Sequence, residues 1–148
     1  MDLSEFQLLF KRENNFDRHN SLTYKIIEPG HIEYEIQIIE EHVAFKNTAH
    51  GGVVSGMMDA VLGLASLTQA VIEDKLVSTV EFKLNFIRPA HLGETLVGIG
   101  KVEHNGNSLI ITGANIYLKG TKTLVAKGLG TFNKYPMSKK GLTDVFEN

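Results

Sequence analysis

His50-Gly51-Gly52-Val53-Val54-Ser55-Gly56-Met57-Met58-Asp59-Ala60-Val61-Leu62-Gly63-Leu64-Ala65-Ser66-Leu67-Thr68-Gln69-Ala70-Val71-Ile72 is the stretch whose reading decides the fold. Apolar residues at Val54, Met57, Met58, Val61, Leu62, Ala65 and Leu67 follow helical spacing and cover nearly the whole circumference. A helix apolar on almost every side belongs in an interior. At about 1.5 Å per residue it would be about 30 Å long. Its Gly, Ser, Thr and Asp content is too high for a membrane span.

Asp59 is the one acid in this run. An unpaired carboxylate in an apolar interior costs several kcal/mol or takes up a proton. Ser55, Gly56, Leu62 and Gly63 lie one turn to either side and Ser66 two turns on, a stripe of mainly small and hydroxyl residues with room for a ligand. Two readings stand: a buried structural Asp satisfied by a hydroxyl or a neighbouring subunit, or a general base or nucleophile in a tight, largely dry cleft. Gly51 and Gly52 open the helix, where unpaired amides and the positive end of the dipole face outward. Such donors can hold a carbonyl oxygen that gains charge. Gly51 and Asp59 are about two turns apart, so an acyl group lying along the helix would meet both.

Outward from this helix the pattern changes from period 3.6 to period 2. Leu3 to Arg12 reads as a short amphipathic helix, and Asn14 to Ser21 as a polar loop. Leu22 to Glu28 and His31 to Ile39 form a hairpin about Pro29-Gly30, with Ile32, Tyr34, Ile36 and Ile38 on its buried face. Glu40 to Ala49 connects to the helix. In the strand from Leu76 to Ile87, simple alternation sets Val80, Phe82, Leu84 and Phe86 on one face and Thr79, Glu81, Lys83 and Asn85 on the other. Thr95 to Glu103 and Ser108 to Leu118 pair through Asn105-Gly106, and Lys122 to Phe132 is the last strand. The polar tail from Asn133 is expected to be loosely held. The prediction is one α+β domain over residues 1–148, its core about 22–132, with a curved antiparallel sheet of about five to six strands wrapped around one long helix. Apolar surface that one helix leaves uncovered is expected to be buried against another copy.

The 148 residues, 43% apolar and 22% charged, suit one soluble globular domain. A formal charge of −2 gives no broad attraction to nucleic acid or anionic membranes. Without cysteine, disulfides, thiolate metal sites and a Cys nucleophile are excluded. Met1-Asp2-Leu3-Ser4-Glu5 has neither the basic nor the apolar region of a secretory signal, so a cytoplasmic setting is expected. No Gly-x-Ser-x-Gly, phosphate loop or dinucleotide fingerprint occurs. His42 and His50, with Glu40 and Glu41 near, are the one weak suggestion of a metal cluster; His50 alone would serve to orient a reactant or to fix its loop.

The run His50-Gly51-Gly52-Val53-Val54, then Asp59-Ala60-Val61-Leu62-Gly63, then Thr79 through Ala90, resembles the hotdog-fold acyl-CoA thioesterases of the phenylacetate-degradation (PaaI-like) type over roughly Leu22 to Phe132. The resemblance implies that the Gly51 N–H polarises a thioester carbonyl and that Asp59 activates water or attacks the carbonyl itself. It also implies that Thr79 helps position the water, and that the acid works across a dimer interface with the other subunit's glycine loop. Such enzymes assemble as dimers of hotdogs, often as tetramers, and need no cofactor, CoA being part of the substrate. Their Asn usually stands six places before the His, where this chain has Ala44; Asn47 lies nearer, so the loop is shortened or rearranged. Candidate substrate contacts are Gly52, Ser55, Met58, Leu62, Phe86 and Arg88, with Met57 beside them; for the methionines, Leu62 and Phe86 a core role competes. Rival functions on the same fold are a non-catalytic acyl-CoA-binding protein, a hydratase, and a thioesterase for acyl carrier protein conjugates.

Overall fold

A computed structural model describes residues 1–137. Two helices come first, α1 (Leu3–Glu13) and α2 (Asn15–His19), then the hairpin β1 (Thr23–Glu28) and β2 (His31–Gln37). A single 3-10 turn (Glu40–His42) and the small pair β3 (Val43–Phe45) and β4 (Thr48–Ala49) lead into α3 (Gly51–Val71). The meander β5 (Lys75–Phe86), β6 (Thr95–Asn105), β7 (Leu109–Leu118) and β8 (Leu124–Pro136) follows. Six strands form one antiparallel sheet in the order β1-β2-β6-β7-β8-β5, and α3 packs along its inner face. The expected α+β architecture, one long helix against a six-stranded antiparallel sheet, is observed.

Alternation makes the inner face, and glycine lets the helix reach it. Ile32, Tyr34, Ile36 and Ile38 are all buried, as their period-2 spacing predicts. Across β6 a Cβ on Gly100 would lie 2.8 Å from the Val61 carbonyl oxygen and 2.9 Å from Val61 Cγ1. On β8 a Cβ on Gly128 would lie 2.5 Å from Met58 Sδ. Helix backbone and sheet therefore meet at a distance that only a missing side chain permits. Under the helix, Ser66 Oγ donates to the Leu62 carbonyl at 2.9 Å and shares a 2.7 Å hydrogen bond with Thr112 Oγ1. That pair satisfies two hydroxyls that burial would otherwise penalise.

Three expectations need correction. Asn14 to Ser21 is not all loop: Asn14 Oδ1 accepts from the Asp17 N–H at 3.1 Å and caps α2. In β5 the register with β8 shifts between Thr79 and Glu81. The bulge at Val80 breaks simple alternation and brings Thr79 to the inner side with Phe82 and Leu84, while Val80 is 57% exposed. Finally, β8 runs on to Pro136, opposite Lys75, so Asn133 to Pro136 are paired strand rather than loose tail. The rest of that tail, residues 138–148, lies outside the described residues.

Gly100→Ala places a methyl group against helix backbone, which no rotamer change relieves. The variant is expected to lose about 1–3 kcal/mol, read as a lowered denaturation midpoint in urea. An unchanged midpoint would show that α3 can lift from the sheet at no cost.

Candidate active site

Asp59 lies midway along the side of α3 that the sheet leaves open. One of its oxygens, Oδ1, accepts from Thr79 Oγ1 at 3.2 Å. The carboxylate makes no other hydrogen bond among the described residues, and its second oxygen is not sealed from solvent. Gly56, Ala60 and Gly63 keep the helix surface low around it, and Phe10, Phe16, Leu67, Val77 and Phe132 form apolar walls. The cleft holds about 380 Å³, and Asp17 and Tyr34 also line it. A carboxylate held on one side by a hydroxyl and open on the other can accept a proton from water, provided an acyl carbon lies within reach.

The helix start is built differently. His50 is the N-cap: its Nδ1 accepts from the Gly52 N–H at 2.8 Å, and its own N–H donates to the His42 carbonyl at 2.8 Å. Gly52 is thus occupied, whereas the Gly51 N–H donates to nothing among the described residues. Gly51 lies in a shallow hollow with Phe86, Ile87, Arg88 and Ala90 that shares no residue with the Asp59 cleft. A Cβ on Gly51 would lie 3.6 Å from the tip of the Phe86 ring, which is otherwise 57% exposed. Eight residues of helix separate Gly51 from Asp59 by about 12 Å. One carbonyl cannot touch both in a single copy.

Several other expected site residues have different work. Met58 and Leu62 have 0% exposure and fill the space over Gly128 and Gly130; neither lines the cleft. Met57 is likewise buried, against β6. Ser55 Oγ donates back to the Gly51 carbonyl at 2.8 Å and stays outside the cleft, as does buried Ser66. Asn47 is a turn residue: Lys46 and Asn47 have φ of 46° and 58°, the paired positive values of a two-residue β3–β4 hairpin, and the Asn47 carbonyl accepts from Leu92. Arg88 is committed to Glu94, Nη1 to Oε2 at 2.9 Å and Nη2 to Oε1 at 2.7 Å, so it is not a free grip for phosphate. The Arg88 hydrogen bonds hold the Glu94 carboxyl down at about 2. No cluster of three potential metal ligands occurs among the described residues.

Sequence reasoning missed the residues that α1, α2 and β2 bring to the cleft: Phe10, Phe16, Asp17 and Tyr34. Phe16, an isolated aromatic in a polar stretch, was the available signal. Its ring sits over Gly56, where a Cβ would come within 2.7 Å of Cζ.

Comparison with known proteins bears on the fold and the family. Residues 46–125 match the model of the thioesterase superfamily. A solved structure of the E. coli PaaI protein from the phenylacetic acid degradation operon superposes with a TM-score of 0.80 at 16% identity, over 87% of this chain and 90% of that one. A Streptococcus mutans protein solved bound to acetyl CoA gives 0.71 at 22% identity, over 78% and 89%. Human acyl-coenzyme A thioesterase 13 is 28% identical over 121 residues, 81% of this chain and 85% of its own. The fold is therefore that of the hotdog thioesterases. The chain belongs to the thioesterase superfamily.

Replacing Arg88 by Ala should move Glu94 back toward the ordinary carboxylate range. Since the folded value is depressed, the pair's contribution is complete above the unfolded value of 4.5 and is lost as pH falls toward about 2. Urea midpoints of the two proteins should thus differ most near neutral pH and converge with acid. A gap that widens with acid would contradict the ion pair.

Proposed function

We propose that this thioesterase-superfamily protein hydrolyses acyl-CoA thioesters to a free acid and CoA, with Asp59 as general base. The observation that carries this reading is the one carboxylate on an otherwise uncharged helix, held by Thr79 at one oxygen, unsealed at the other, and set in the lining of the cleft. A water between Asp59 and an acyl carbon gives its proton to the carboxylate and attacks the carbonyl. The oxygen of the tetrahedral intermediate is held by a Gly51 N–H. Collapse breaks the C–S bond, and the sulfur leaves as CoA, taking up the proton that Asp59 received from the water. Because a thioester is already activated, a base and an oxyanion donor suffice. The acetyl CoA bound to the Streptococcus mutans structure and the name of the human relative support CoA as the carrier.

The oxyanion donor comes from a second copy. Within one copy Gly51 stands about 12 Å from Asp59 along α3. β5 is an edge strand of the sheet, with Val80, Phe86 and Ile87 exposed along and just beyond it. An exposed apolar edge invites pairing with another strand. An antiparallel partner β5 centred on Lys83 pairs Glu81 of one copy with Asn85 of the other and, across the bulge at Val80, sets Thr79 opposite Phe86. Each Asp59 then faces a hollow that carries the other copy's Gly51. The active unit in this reading is a homodimer.

Asp59→Asn keeps the shape and the Thr79 contact but cannot take a proton. It should lower kcat on acyl-CoAs by about 10²–10⁴-fold with an unchanged circular dichroism spectrum and oligomer size. Turnover equal to wild type across aromatic, medium-chain and long-chain acyl-CoAs would refute the assignment.

A further inference from the structure

Asp17 is 5% exposed, yet its carboxyl is only half satisfied. Oδ2 accepts from the Tyr34 hydroxyl at 2.7 Å; Oδ1 is buried with no partner among the described residues. The residue stands where two hollows meet. On one side is the Asp59 cleft of about 380 Å³. On the other, between α1, α2 and β1, runs a groove of about 590 Å³ lined in part by Leu8, Leu22 and Tyr24. Asn14 and Asp17 are the residues common to both. The Asn14 side chain is engaged in capping α2, which leaves the Asp17 carboxyl as the part of the partition that chemistry can tune.

We infer that Asp17 is the end wall of the acyl cleft, a specificity-determining residue that limits the enzyme to acyl groups short enough to stop before it. This rests on hydrolysis at Asp59 as proposed above. The wall acts in two ways. It closes a space that would otherwise run on into the groove. It also meets an incoming chain with an acceptor that a methyl end cannot satisfy, so that pressing alkyl carbon against it gains little from burial and offers the carboxyl no hydrogen bond. Burial pushes the Asp17 carboxyl up from its ordinary range against the opposing pull of the Tyr34 hydroxyl and the Asn14 side chain, as expected of a group kept away from water. Beyond the wall, Leu8, Leu22 and Tyr24 offer a path apolar enough to seat a longer chain.

The test is the ratio of kcat/KM for hexadecanoyl-CoA to that for butanoyl-CoA in the intact protein. Wild type should favour the short thioester by about tenfold or more. Asp17→Ala and Asp17→Ser should each raise the long-to-short ratio by about tenfold or more, chiefly through a lower KM for the long chain. Asp17→Asn, which fills the same volume and still accepts from Tyr34, should keep the wild-type ratio. A purely structural role would depress both substrates together and leave the ratio alone. Should Asp17→Ala fail to fold, Asp17→Ser, which retains an oxygen for Tyr34, decides the matter. A folded Ala or Ser variant with the wild-type ratio would overturn the wall, as would a wild type that hydrolyses both thioesters equally well. Hydrolysis by wild type of neither these two nor any aromatic or medium-chain acyl-CoA would instead overturn the thioesterase function and the wall with it, whereas hydrolysis of aromatic thioesters alone would overturn the wall.

Discussion

A carboxylate and an amide that has no acceptor among the described residues sit about two turns apart on one helix, too far for one acyl carbonyl to meet both. Gly100 and Gly128 let the sheet come close beneath Val61 and Met58, which seats α3 along it. In the proposed reaction each copy therefore carries halves of two different sites. The rest of the structure can be understood as arranging those halves. His50 takes the Gly52 amide and leaves that of Gly51 exposed, while Thr79 anchors one oxygen of Asp59 and leaves the other toward the cleft. The edge position of β5 supplies the surface through which two such copies would meet.

Much of this was legible in the residues. The long apolar run, the alternating hairpin and the Asn-Gly turn are local signals, and local signals specify element type well. Asp59 stood out because an acid inside an apolar helix needs a reason. What stayed hidden depended on contacts between distant segments. The bulge at Val80 is invisible to a simple period-2 reading, and without it Thr79 would point away from the acid that it touches. Leu62 and Ser66 share a spacing with Asp59 that places them within a turn or two of it, but the sheet claims both, through Gly130 and Thr112. Arg88 looked like a free cation because its partner, Glu94, lies beyond the proline turn. Asn47 looked like a site residue by type, yet positive φ at a tight turn is a sufficient reason for an Asn there.

The segment before the sheet shapes the site more than its composition suggests. α2 is only five residues long, yet Phe16 covers Gly56 and Asp17 reaches Tyr34 on β2. No helical or strand periodicity runs through Asn14 to Ser21, so nothing local announces a buried acid. Its capping Asn and its one aromatic residue become meaningful only when α3 and β2 are placed beside them. In the proposed reading, the base and the oxyanion donor stand on the central helix and acyl preference is set from a short segment packed over it.

Gly51 is the first residue of α3, and His50 before it is extended, with φ of −59° and ψ of 137°. Proline fits such a position, removes the amide hydrogen and adds a Cβ at ordinary contact distance, 3.6 Å, from the Phe86 ring. Gly51→Pro and Asp59→Asn should each be inactive alone. Co-expressed as mixed dimers, they should recover about a quarter of wild-type turnover, since half the dimers are mixed and each mixed dimer holds one intact site. No recovery in mixed dimers whose formation is verified would place acid and amide within one copy and contradict the shared site.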